Sequence, residues 1–227
     1  MSSVDLDKIG ANKLKNCTSG EMVEIDSLWH DQTSILFFLR RFGCQVCWWM
    51  AAEVSKLEKD LKTNSIALIG IGPEETGVKE FKDGGFFKGD IYIDEKNQCY
   101  KDLGLKRYNA INVVGKKVRE IASKASTKGI HGNFSGDLLQ SGGMLIVAKG
   151  GEKVLLHFVQ KTPADSTSLD DITKALRISA NVQAGEKPQC NDEVCTRYRI
   201  LCSSGDATEH DHNMDSDSYP VIFFPLV

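Results

Sequence analysis

No apolar run in this 227-residue chain approaches the roughly 20 residues needed to cross a bilayer; the longest, residues 34–39 and 220–227, stop far short. No transmembrane span is expected. Charge of one sign is also lacking, since 28 Lys and Arg face 31 Asp and Glu, a net −3 mixed along the chain. Without a basic stripe to attract nucleic acid or an anionic membrane, a small molecule or a protein is the expected partner. Residues 1–17 lack the basic start, apolar centre and small-residue cleavage site of a secretory signal. The expected location is the cytosol, a reducing compartment in which idle disulfides are kept open. There the odd count of seven cysteines reads as thiols rather than as a disulfide framework.

What is present is an alternation of strand and helix patterns. Segments 33–39 (TSILFFL), 65–71 (SIALIGI) and 90–93 (DIYI) read as buried strands. Between the first two, residues 47–61 place Cys47, Met50, Ala51, Val54, Leu57 and Leu61 on one stripe, largely opposite Glu53, Lys56, Lys59 and Asp60. That pattern fits a helix packed on a sheet. Shorter helical patterns lie at 73–81 and 95–103, and a third at 116–128 opens with a cluster of bases. The alternation predicts parallel strands with right-handed crossovers.

After a Gly- and Ser-rich loop, 131–143, the runs 144–148 and 153–159 flank Lys149-Gly150-Gly151-Glu152, a hairpin signal that closes the sheet antiparallel. Residues 169–178 read as a last amphipathic helix, and an early strand, 22–25, is expected on an edge. The fold class is α/β, a central mixed sheet flanked by helices in one domain, residues 1–178. Residues 179–227 read as a C-terminal extension, poorly ordered or docked. Its 203–218 stretch is acidic and polar, and two prolines interrupt the apolar end.

Chemistry concentrates in RRFGCQVCWW, residues 40–49. If 34–39 is a central strand and 47–61 the helix after it, Cys44 sits at a helix N-terminus. Unpaired N–H groups and the positive end of the helix dipole favour a thiolate there, and Arg40 and Arg41 add to the effect. Cys47 lies one turn further in, on the buried stripe, where desolvation opposes ionisation. The reading is Cys44 as an exposed nucleophile and Cys47 as the resolving thiol. Two alternatives stand beside it: a pair of core cysteines, and a zinc clip that would need two further ligands, for which only Cys190 and Cys195 offer themselves. No metal is expected.

Other signals are weaker. Trp48 and Trp49 read as packing residues, at least one of them bordering the thiols, and Cys17 and Cys99 as packing residues. His131 reads as a loop histidine with a proton-donor role as the alternative, and His157 as structural. His210 and His212 lie in the acidic tail and are not credited as ligands. Residues 69–77 (IGIGPEETG) carry a proline and the wrong glycine spacing for a dinucleotide fingerprint, so they read as a tight strand-to-helix turn. Lys116, Lys117 and Arg119 read as a solvated helix face, with a phosphate site as the alternative.

The motifs GCxxC after LRRF, ALIGIGPE (67–74), YIDEKNQCYKDLG (92–104), KRYN (106–109), GNFSGDLLQSGG (132–143) and KGGEKVLLHFVQK (149–161) closely resemble the prostamide/prostaglandin F synthase family. This is a thioredoxin-like group within the peroxiredoxin-like AhpC/TSA superfamily, and the likeness spans about residues 4–194. It implies a thioredoxin-like fold and reduction of the endoperoxide of prostaglandin H2, or of its ethanolamide prostamide H2, to the F-type product. It further implies Cys44 and Cys47 as the redox pair, NADPH as electron donor, and a thioredoxin or reductase system as a partner. A general thiol-disulfide or peroxide reductase and a non-catalytic redox sensor are the competing readings.

Two departures from relatives narrow the choice. Ordinary peroxiredoxins place Thr or Ser three residues before the peroxidatic cysteine and Pro four before that. Against Cys44 these positions hold Arg41 and Phe37, and against Cys47 they hold Cys44 and Arg40. Thioredoxins set a proline against the CxxC, where this chain has Gln140-Ser141-Gly142-Gly143-Met144. Both absences leave room for a bulkier, lipid-like peroxide.

Overall fold

The runs of β-branched and aliphatic residues become strands, and the amphipathic stretches between them become helices. A computed structural model describes residues 4–109, 115–133 and 136–179. Along them lie α1 (Leu6–Gly10), β1 (Lys13–Asn16), β2 (Met22–Glu24), α2 (Ser27–His30), β3 (Thr33–Phe38), α3 (Gln45–Val54) and, after a 3-10 turn at Ser55–Leu57, α4 (Glu58–Thr63). There follow β4 (Ile66–Gly72), α5 (Val78–Asp83), β5 (Asp90–Ile93), α6 (Gln98–Asp102), α7 (Lys116–Thr127), β6 (Gly143–Val147), β7 (Val154–Val159) and α8 (Leu169–Leu176). The seven strands form one sheet in the order β2-β1-β5-β4-β3-β6-β7. β3, β4 and β5 are parallel neighbours; the hairpin β6–β7 adds antiparallel to β3, and β1 antiparallel to β5. The mixed sheet agrees with the expectation, and β2 lies on the edge as predicted.

The position of the site follows from the burial of β3. Its alternation sends Ile35 and Phe37 to one face and Leu36 and Phe38 to the other, and both faces are covered. On the first face α3 supplies Trp48, Met50, Ala51 and Val54, while Phe81 and Phe86 close round Trp48 and Phe87 packs between Phe81 and Phe37. On the second, Tyr100 stands edge-on to Phe38 and donates its hydroxyl to the carbonyls of Leu39 and Ile71. The segment leaving β3 is therefore held from both sides of the sheet.

Two expectations change. The single helix over 47–61 is broken: the Ser55 hydroxyl donates to the Phe86 carbonyl and accepts from Lys88 N–H, tying the helix to the following loop where the backbone tightens into the 3-10 turn. The sheet also extends beyond β5 through β1, which no pattern announced, because only Leu14 of its four residues is buried. The proposed extension 179–227 lies, apart from Ser179, outside the described residues, as do Cys190, Cys195, Cys202, His210 and His212.

Gly72 at the end of β4 reports how tightly the loop after β3 packs. A Cβ there would meet the Phe42 ring at 2.1 Å, and the ring is fully buried. Gly72→Ala should cost about 1–3 kcal/mol of stability, measured as a lowered midpoint of chemical denaturation; an unchanged midpoint would mean that Phe42 yields freely.

Candidate active site

The loop from Leu39 to Cys44 turns from sheet to helix. Leu39 N–H still bonds Ile71 O at 2.8 Å, so the strand pairing persists to the first arginine. Cys44 then caps α3: its backbone is extended (φ −80°, ψ 114°), its carbonyl accepts Trp48 N–H at 2.9 Å, and its Sγ accepts Cys47 N–H at 3.3 Å. A sulfur thus fills the place that a Ser or Asp oxygen usually takes. Cys44 and Cys47 are both free thiols.

Arg40 is almost fully buried. Its Nη1 donates to Cys44 Sγ at 3.4 Å, its Nε to Gln140 O at 3.0 Å and its Nη2 to Leu138 O at 2.5 Å. The guanidinium also lies over the Tyr108 ring, 5.1 Å from the centroid. Arg41 turns the other way and donates to Asn133 O at 2.6 Å. The two arginines expected near the thiols are both present, one touching the sulfur and one holding the neighbouring loop.

These contacts set the two thiols apart. The hydrogen bond from the Cys47 side chain lowers the Cys44 thiol to about 6; burial opposes this, and Arg40, Arg41 and the Cys47 N–H reinforce it. Burial, followed by the hydrogen bond to Cys44 and its charge, pushes Cys47 well up. The division into thiolate and protonated thiol is the one expected from position. Elsewhere burial raises Cys17 to about 11 and Cys99 upward, in keeping with packing roles.

Exposure is where the sequence reading fails. Cys44 is only 3% and Cys47 only 2% exposed. The cover comes from the chain after α7: a Cβ on Gly132 would stand 2.2 Å from Gln45 N, so this glycine lies directly on the start of α3. Asn133 N–H bonds Gly43 O at 2.7 Å, and Gln45 Nε2 reaches Ser126 Oγ and Ile130 O. Arg40 lies on the sulfur and a loop distant in sequence lies on the start of its helix, neither of which helix position alone reveals.

The remaining candidates fall as follows. Trp48 is buried against Phe86 with its indole N–H donated to Phe42 O, and Trp49 lies under the Lys128 ammonium. His157 sits in β7 opposite Leu145, with burial lowering its basicity. Missed by sequence reasoning were Gln140, Leu138 and Tyr108, which hold Arg40. Two of them act through backbone carbonyls, which carry no residue signal.

With this geometry in view, the relatives are informative. The AhpC/TSA antioxidant enzyme family model matches residues 53–162, beginning beyond both thiols. The chain is 81% identical to a prostamide/prostaglandin F synthase of Danio rerio and 51% identical to that of Homo sapiens, covering 87% and 86% of this chain and 100% of each relative. The chain belongs to the prostamide/prostaglandin F synthase family. Among solved structures, a cysteine-to-serine mutant of the peroxiredoxin 6 of Arenicola marina has a TM-score of 0.52 at 14% identity, over 78% of this chain and 72% of that one. Reduced Prx3 with H2O2 from Vibrio vulnificus has a TM-score of 0.52 at 14% identity, over 78% and 99%. These confirm the thioredoxin-like, peroxiredoxin-type fold that the resemblance implied.

Among the described residues no group of three or more His, Cys, Asp or Glu is placed to hold a metal ion, and no helix is long and apolar enough to cross a membrane. The nicotinamide nucleotide that the family implies finds no fit at the thiols. The space beside Gly72 is filled by Phe42, and Lys116 and Lys117 face Glu120 and Asp165. A cleft of about 760 Å³ brings together Lys96, Lys101, Lys106 and Arg107, but Glu74 and Asp137 also line it, Asp137 paired with Arg107, and neither thiol does.

The arrangement provides a buried thiolate, a protonated thiol one turn away and a fixed cation, which is the equipment for nucleophilic attack followed by disulfide formation. Since Arg40 favours the charged sulfur, Arg40→Met should raise the pKa of Cys44 by about one and so leave less thiolate. Alkylation of Cys44 should then slow about fivefold at pH 6, with the two rates converging above pH 9, where both sulfurs are ionised. Identical pH profiles would remove Arg40 from the activation of Cys44.

Proposed function

We propose that the chain reduces the endoperoxide of prostaglandin H2 and of prostamide H2 to the F-type diols through a Cys44/Cys47 dithiol–disulfide cycle in the cytosol. The observation that carries this reading is the asymmetric placing of the pair: Cys44 Sγ at the start of α3 accepts Cys47 N–H at 3.3 Å and Arg40 Nη1 at 3.4 Å, which favours its thiolate, while burial favours the protonated form of Cys47 one turn deeper. Membership of a family whose named relatives are prostamide/prostaglandin F synthases supplies the substrate.

The Cys44 thiolate attacks one oxygen of the weak O–O bond, forming S–O and expelling the other oxygen as an alkoxide. An alkoxide is far more basic than a thiolate, so it takes the proton of Cys47. The new Cys47 thiolate displaces the sulfur-bound oxygen, closing the disulfide, and the second alkoxide takes a proton from water. Two electrons pass from the sulfurs to the O–O bond, and one endoperoxide becomes two hydroxyls. Arg40, 3.4 Å from Cys44 Sγ, stabilises the anionic sulfur before attack. Access for a bulky peroxide requires Gly132 and Asn133 to move off the start of α3. The disulfide is reopened by exchange with an external dithiol, for which a thioredoxin system drawing on NADPH is the matching source.

Purified protein given prostaglandin H2 and a dithiol should yield the F-type product, and Cys44→Ser should yield none above the uncatalysed rate. Cys47→Ser should stop after a single attack, leaving the substrate oxygen on Cys44 as an adduct visible by intact-protein mass spectrometry. Full turnover by the Cys44→Ser protein would refute the cycle.

A further inference from the structure

A cavity of about 220 Å³ lies between α3, the β6–β7 hairpin and the start of α8, and the thiol chemistry makes no use of it. Its floor is the sheet: Phe37, Met144 and Phe158 stand side by side in register across β3, β6 and β7. Met50 of α3 and Leu169 of α8 supply further apolar wall. On the order of 150 Å³ of apolar cavity suffices for a benzene-sized guest, so there is room here for several carbons of a flexible chain.

The polar lining, Gln160, Ser166, Thr167 and Ser168 with Glu53, lies to one side of this apolar floor and carries a single carboxylate. Among the described residues, Glu53 is the only ionisable group lining the cavity, and no cation does. A carboxylate guest would lose its hydration with no cation lining the space to compensate. Thr167 Oγ1 is buried without a hydrogen-bond partner among the described residues, a costly arrangement that a neutral polar group on a guest would relieve.

The cavity also joins the redox loop. Met50 lies three residues beyond Cys47, one turn along the same helix. Gln160, another lining residue, donates to Met50 Sδ at 3.4 Å and accepts from Gly142 N–H at 2.9 Å. Gly142 in turn packs on Arg40, where a Cβ would meet Arg40 Cγ at 3.3 Å. Through Gln160 and Gly142 the cavity wall is thus linked by direct contacts to Arg40, which touches Cys44 Sγ.

We propose that this cavity receives an uncharged alkyl chain of the lipid peroxide, with Thr167 Oγ1 hydrogen-bonding a neutral polar group carried on that chain. The inference rests on the endoperoxide reading above, and its test uses no peroxide, so that the two fail separately. Methyl NMR of the methionines in the full chain provides the readout, since Met50 and Met144 line the cavity while Met22 is 52% exposed and serves as control.

1-Octanol should shift Met50 and Met144 saturably and leave Met22 unmoved, and octanoate should bind at least tenfold more weakly. Leu169→Trp, which fills the cavity, should abolish the shifts without changing the alkylation rate of Cys44. Should that variant fold badly, Thr167→Val decides, with 1-octanol binding expected to weaken about fivefold. Shortening the alcohol should weaken binding about fourfold per methylene. The proposal is overturned by octanoate binding as well as octanol, by no loss in Thr167→Val, or by shifts that survive Leu169→Trp. It is equally overturned if octanol binds only after the chain is shortened beyond Val194, which would make the tail the occupant.

Discussion

A guanidinium buried beside a buried sulfur is the constraint from which the rest of the site follows. Arg40 is 3% exposed, and a cation so placed is tolerable only where its donors are met. Three of them are: Gln140 O, Leu138 O and Cys44 Sγ take one each. The two carbonyls fix the chain before β6, and the third contact adds to the Cys47 hydrogen bond in favouring the charged sulfur. The loop between β3 and α3 therefore has one geometry, and the protonation of the thiols is part of it.

Much of this was legible in sequence, for identifiable reasons. The strands 33–39, 65–71 and 90–93 were readable because burial on both faces removes polar residues from them almost entirely, and the helix carrying Cys47 because one face of it is dry. Cys44 at the helix start, with Cys47 one turn deeper, followed from that pattern alone. β1 was invisible because a four-residue strand with a single buried side chain has no period to detect. The break at Ser55 was invisible because one hydroxyl reaching Phe86 and Lys88 decides it. The burial of Cys44 was misread for a similar reason: its cover comes from Gly132 and Asn133, nearly ninety positions away, and works through backbone.

The positions that set this chain apart from its relatives acquire a physical meaning. Arg41 stands where an ordinary peroxiredoxin has its hydroxyl residue, and instead of serving a peroxide it binds Asn133 O and so holds the cover in place. Where a thioredoxin has proline, Gly142 and Gly143 bring the backbone so close to Phe38 O and Phe158 O that a Cβ would stand 2.4 Å away in each case. One change closes the site, and the other packs it.

Activation and access are thereby assigned to different residues. The charge on Cys44 is fixed by groups that are rigidly held: the helix start, Cys47 and Arg40. The segment that lies on the start of α3 is tied there by, among other contacts, Asn133 N–H to Gly43 O at 2.7 Å and Arg41 to Asn133 O at 2.6 Å. A small oxidant meets a thiolate that is sheltered while the segment is closed. On the proposed reading, a larger lipid that seats its chain in the cavity beside Met50 brings binding energy of its own, and part of that energy can offset movement of the segment over the start of α3. On that same reading, selectivity for a bulky peroxide over a small one would need no special recognition of the O–O bond, since only a substrate with apolar surface to bury could offset the uncovering of Cys44.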